Sequence, residues 1–126
     1  MPPPPDVYLA HLDAAGRGAG AELPAIWESD GVVEFPYAGS VGTPQRLDGI
    51  DAIVGYFSSL GLFEPFTFSA IEAWPVGGGE WFAELHGSTT MSDTGRAYEQ
   101  DYVVRFRVAP SGRLAFMREY WDPTRI

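Results

Sequence analysis

Four long segments of this chain, at 66–74, 80–91, 97–108 and 113–121, alternate apolar and polar residues with a period of two. That period is the mark of a strand with one buried face. Turn residues separate the segments: Gly77-Gly78-Gly79, Ser92-Asp93-Thr94-Gly95 and Pro110-Ser111-Gly112. Long strands joined by short turns predict an antiparallel meander, and the apolar face of a meander must be covered by something.

The first half of the chain supplies the cover. At 7–15, Tyr8, His11, Leu12 and Ala15 recur at helical spacing. A glycine-rich stretch at 16–20 ends that helix. A second short helix is predicted at 22–28, with Pro24 in its first turn and Leu23, Ile26 and Trp27 on its apolar face. Ser29-Asp30-Gly31 reads as a turn, 32–35 as a short strand and 36–44 as a loop. Asp48 is placed to cap a helix running to Leu60, with Ile50, Ile53, Val54, Phe57 and Leu60 as its buried stripe. Helices followed by a meander give an α+β fold. The expected organisation is a proline-rich tail at 1–6 and a single domain at 7–126.

Composition excludes several classes of function. The 126 residues carry 17 acidic against 8 basic side chains, a net charge of -9, and every basic residue is Arg. Such a surface repels phosphate backbones and anionic lipid, so neither nucleic acid nor membrane is an expected partner. Cysteine is absent, which removes disulfides, thiol nucleophiles and Cys-metal sites. The start of the chain has no signal-peptide pattern, and no apolar run approaches the ~20 residues of a membrane span, so a cytoplasmic location is expected. The glycines at 16–20 lack the Gly-Lys-Ser/Thr of a phosphate loop. His11 and His86 have no ligand spacing to a second histidine, so neither metal nor cofactor is expected.

Alternation sorts each strand into faces. In 97–108, Tyr98, Gln100, Tyr102, Val104 and Phe106 share one face, and Glu99, Asp101, Val103, Arg105 and Arg107 the other. The first set faces the helices. In 80–91, Trp81, Ala83 and Leu85 point inward, while Phe82, Glu84 and His86 point outward. In 113–121, Arg118 belongs with the outer charges, which places Ala115, Met117, Glu119 and Trp121 inside. Glu119 is then a carboxylate among apolar residues, a costly placement unless it is paired or neutralised. It reads as a general acid/base with a raised pKa, or as a structural carboxylate hydrogen-bonded to Tyr or Gln neighbours. Asp122, just before Pro123, reads as a cap or turn residue.

The stretches Gly95-Arg96-Ala97-Tyr98-Glu99-Gln100-Asp101-Tyr102 and Arg118-Glu119-Tyr120-Trp121-Asp122-Pro123 resemble the SnoaL-like group of the nuclear transport factor two-like superfamily. Asp30-Gly31-Val32-Val33-Glu34-Phe35-Pro36 and Leu47-Asp48-Gly49-Ile50-Asp51-Ala52-Ile53 extend the resemblance. It implies a cone-shaped α+β barrel, a curved antiparallel sheet wrapped around N-terminal helices, with a pocket at the wide end and dimerisation through the outer sheet face. The superfamily hosts isomerases, cyclases, hydrolases, dehydratases and non-enzymatic binders, so the fold leaves the function open.

Family members narrow the chemistry. The catalytic Asp of ketosteroid isomerase aligns with Phe35 and its oxyanion-stabilising Asp with Val104, so that isomerase mechanism is excluded in that form; its Tyr has a counterpart in Tyr8. The Arg and Asp pair of limonene epoxide hydrolase is not reproduced at Glu84 and His86. Closest in pattern are the phenazine-biosynthesis A/B proteins, which share a Tyr-Glu-Asn-x-aromatic strand and an Arg-Glu-aromatic motif. That resemblance makes Glu119 the acid/base and puts Tyr98 on the pocket wall, with Tyr56 where those proteins carry a histidine. The expected site is thus catalytic Glu119 with a small apolar molecule held by Tyr98, Gln100, Tyr102, Tyr8, Phe35, Tyr56, Trp81, Met117 and Trp121. The alternative is a non-catalytic binding or accessory dimer using the same pocket.

Overall fold

The computed structural model describes residues 3–60 and 65–125; the first two residues of the expected proline tail lie outside them. Helix α1 is Asp6–Gly16 and α2 is Ile50–Ser58. The strands are β1 (Trp27–Glu34), β2 (Arg46–Asp48), β3 (Thr67–Gly77), β4 (Glu80–Thr90), β5 (Ala97–Val108) and β6 (Leu114–Tyr120). They form one curved, open sheet in the order β2-β1-β6-β5-β4-β3. The helices lie against its concave face, so the α+β cone expected from the sequence is the fold observed. No helix among the described residues is long and apolar enough to cross a membrane.

The meander β3 to β6 is antiparallel throughout. Strand β1 then pairs with β6 in parallel, Val33 beside Met117 and Glu34 beside Arg118, so the sheet is mixed. The inner-face alternation holds along β5, where Gln100, Val104 and Phe106 are buried while Asp101, Val103 and Arg107 are exposed. Outward, Glu34 binds both Arg46 and Arg118, each at 2.7 Å. Anchoring Arg118 on that side fixes its neighbour Glu119 on the other, because successive strand residues face opposite ways.

Three local expectations are corrected. The segment predicted as a helix at 22–28 is a short 3-10 turn, Gly20–Ala25, and Trp27 already begins β1. Ser29-Asp30-Gly31 is no turn but lies inside β1, where the ladder to β6 shifts register between Trp27 and Val32. The missing side chain of Gly31 leaves room for the Trp27 ring: a Cβ there would sit 2.6 Å from it. Asp48 does not cap α2. It ends β2, its carboxylate accepts from Arg46 at 2.9 Å, and Gly49 at φ 85 turns the chain into the helix without a side-chain cap.

Candidate functional site

A cavity of about 640 Å³ opens between the helices and the concave sheet, within the range of small-molecule sites. Helix α1 contributes His11, Leu12 and Ala15, and α2 contributes Ala52, Gly55, Tyr56 and Phe57. The sheet side supplies Phe68, Tyr98, Tyr102 and Glu119, with Phe35 and Trp121 from just beyond β1 and β6. Most of this surface is hydrocarbon or aromatic ring. Tyrosine hydroxyls, Thr43, Ser59, His11 and one carboxyl provide the polar points.

That carboxyl, Glu119, pairs across the ladder with fully buried Val104. It forms no hydrogen bond or ion pair with any described residue. The side chain retains some contact with solvent through the cavity, yet protein surrounds it and desolvation raises its pKa from 4.5 to about 7. Burial also pushes up the hydroxyls of Tyr8, Tyr56 and Tyr102, and the Glu119 charge adds to each. Burial raises Tyr98 as well, opposed by a hydrogen bond from Gln100 and reinforced by Glu119. At neutral pH these tyrosines are protonated donors arrayed around a carboxyl that titrates.

Six of the residues expected at the site meet at the cavity: Glu119, Tyr98, Tyr102, Tyr56, Phe35 and Trp121. Four do not reach its wall. Gln100 is buried behind it, its amide donating to the Tyr98 hydroxyl at 3.0 Å and to the Asp122 carbonyl at 2.9 Å. Tyr8 and Trp81 flank Phe106 in an aromatic stack, with ring centroids 4.2 and 6.2 Å from it. Met117 is sealed in the core. A place on the inner face of a strand, the signal for Gln100, Trp81 and Met117, does not distinguish the cavity wall from the packing behind it. The apolar stripe of a helix, where Tyr8 lies, has the same ambiguity.

Asp122 behaves as a turn residue. Its carboxylate accepts from the backbone N–H of Thr124 at 2.9 Å and from its hydroxyl at 2.6 Å.

His11 joins the cavity wall without having been expected there. The fully buried Trp27 donates its indole N–H to His11 Nδ1 at 3.0 Å, and burial lowers the His11 pKa to about 4. Its place on the apolar stripe of α1 marks it in the sequence only as a core residue. Among the described residues, no three His, Cys, Asp or Glu side chains gather as a metal site would require.

The SnoaL-like domain profile matches residues 8–117, nearly the whole of this fold. The chain belongs to the SnoaL-like domain family. No curated protein matches it. Solved structures share the SnoaL-like architecture at low identity. A candidate isomerase from Bacillus subtilis superposes with a TM-score of 0.84 at 24% identity, covering 94% of this chain and 86% of its own. A Catenulispora acidiphila protein of ketosteroid isomerase-like fold gives 0.81 at 13%, covering 98% and 91%. A phenazine biosynthesis-related protein from Pseudomonas aeruginosa gives 0.72 at 15%, covering 95% and 79%. These likenesses establish the SnoaL-like fold, and the site must speak for the chemistry.

Proposed function

We propose that this SnoaL-like protein binds a small, largely apolar, polycyclic or polyketide-like molecule in its cavity. There it performs cofactor-free acid/base chemistry of the isomerisation, cyclisation or dehydration kind. One observation carries the reading: a carboxyl without a hydrogen-bond or ion-pair partner among the described residues sits on the wall of a largely apolar cavity, where burial raises its pKa to about 7. A group that titrates near neutrality both accepts and returns a proton readily. A structural carboxylate would be held by hydrogen bonds, and the obvious partner, Gln100, is committed to Tyr98 and Asp122 instead.

In the simplest step, ionised Glu119 takes a proton from carbon next to a carbonyl. The C–H electron pair forms a carbon–carbon double bond and the carbonyl π pair moves to oxygen, where tyrosine hydroxyls stabilise the enolate. The protonated carboxyl then returns the proton to the same or another carbon, so the step balances without a co-reactant.

Deuterium exchange tests this. Apolar ketones incubated in heavy water with the protein should exchange at the carbon next to the carbonyl, and Glu119→Gln should abolish exchange while leaving binding intact. Equal exchange by Glu119→Gln would remove Glu119 from the chemistry. Saturable binding with no exchange by the wild type would favour the non-catalytic binder.

The outer sheet face supports a second copy of the chain as partner. Trp74, Phe82 and Val103 are exposed there beside charges of both signs, Glu84 and Asp101 with Arg105 and Arg107. A two-fold contact can set those charges in complementary pairs. Sedimentation should give a dimer for the wild type and a monomer for Val103→Glu; identical masses would reject this face as the contact.

A further inference from the structure

Trp27 and His11 form a pair whose chemistry admits one arrangement. An indole nitrogen carries a proton and can only donate. His11 Nδ1, 3.0 Å away, must therefore present its lone pair. In a neutral imidazole the proton is then on Nε2. A cationic ring would bring two N–H groups into opposition, so the contact also disfavours protonation, in accord with the lowered pKa of His11.

The Nε2–H makes no hydrogen bond with any described residue. It is also not among the described side-chain atoms shut off from solvent without a hydrogen bond, which are Tyr8 Oη and Arg105 Nε. His11 is only 2% exposed, and it lines the cavity. Its ring is clamped by Phe57 edge-on at 5.2 Å and by Trp27 edge-on at 5.6 Å. A rigid donor with a fixed tautomer thus stands at the cavity with nothing among the described residues to receive its proton.

We propose that His11 donates an Nε2–H hydrogen bond to the bound molecule, with Trp27 fixing the tautomer, and that the cavity therefore selects apolar molecules bearing a carbonyl or an equivalent acceptor oxygen. This rests on the cavity being a ligand site, as proposed above, and adds the chemical class of the ligand. His11 stays neutral as it donates, so it withholds its proton from an enolate and only stabilises it. Glu119 alone then moves a proton between atoms.

Acetophenone and ethylbenzene share a carbon skeleton and differ by one carbonyl oxygen, which makes them suitable probes. Calorimetric titration of the wild type should show acetophenone binding about tenfold more tightly, the worth of one hydrogen bond to a preorganised donor. His11→Phe should bind both equally. Because Phe leaves the Trp27 N–H unpaired, a second measurement uses the wild type alone. Nitrogen–proton NMR of the imidazole should show protonated Nε2 and bare Nδ1, and the Nε2–H signal should shift with acetophenone but not with ethylbenzene. A proton on Nδ1, no shift with the ketone, or an undiminished ketone preference in His11→Phe would each overturn the proposal. Binding of both probes without preference would overturn it alone and leave the cavity reading standing. Binding of neither by the wild type would overturn both.

Discussion

Gln100 holds the backbone of Asp122 from both sides: its amide nitrogen donates to the Asp122 carbonyl at 2.9 Å, and its amide oxygen accepts from the Asp122 N–H at 3.0 Å. A side chain here does what a strand backbone would do. It prolongs the β5–β6 pairing past Tyr120 and so sets Trp121 on the cavity wall.

Replacing Gln100 with Leu should therefore release the residues after β6. The loss of three hydrogen bonds, two to the Asp122 backbone and one to the Tyr98 hydroxyl, predicts about 1–3 kcal/mol of destabilisation. Urea unfolding measures it. An unchanged midpoint, together with unchanged Trp121 fluorescence, would show that the clamp contributes nothing.

Glu119 makes stability depend on pH in a direction opposite to most carboxylates. Its folded pKa, about 7, lies above the ordinary 4.5. The folded state therefore holds more protons between those values, and stability falls as pH rises across that window. The loss is complete above the folded pKa and amounts to roughly 3 kcal/mol. Glu119→Gln should lack this dependence and be the more stable protein in mildly alkaline buffer. Unfolding curves for both proteins at both ends of the window check it, and the difference between them isolates Glu119 from Asp13, Glu22, Glu99 and Asp122, whose lowered pKa values act the other way.

Tyr102 lies over Gly87, where an added Cβ would stand 2.8 Å from the Tyr102 ring and 3.3 Å from Phe68. Both rings line the cavity. Gly87→Ala should push them into it, with a cost of about 1–3 kcal/mol in stability and a weaker affinity for apolar ligands. Ligand titration beside an unfolding curve separates the two effects; an unaltered affinity would mean the rings move elsewhere.

On the outer face, His86 is joined to Asp101 at 2.8 Å and to Glu99 at 2.7 Å. Two carboxylates favour its charged form and raise its pKa above 6.5. An NMR titration should find that elevation, and Asp101→Asn should bring the value down. An ordinary value in the wild type would show that solvent dissolves the cluster.

Alternation alone makes β5 legible to the residue and places Glu119 inside, because a strand's faces follow from its period. Strand β2 escapes, since three residues after Pro44 hold no period to detect. Trp27 looks helical because Leu23, Ile26 and Trp27 share helical spacing; the parallel partner that makes it a strand lies far along the chain, at Leu114. Separation along the chain hides His11 as well. Its role depends on Trp27, sixteen residues away, through a contact that neither segment announces.

The place of β6 bears on how the protein is made. It lies between β1 and β5, so the strand bearing Glu119 joins two halves that otherwise do not touch in the sheet. During synthesis the ribosome delivers β1 and β2 first, then the β3–β5 meander, and each emerges with an open edge facing the gap. Both edges wait for the same strand. A nascent chain stalled or cut before Leu114 would hold two unsatisfied half-sheets, prone to pair with other chains, while the arrival of β6 closes the sheet and brings in the cavity's carboxyl in one event.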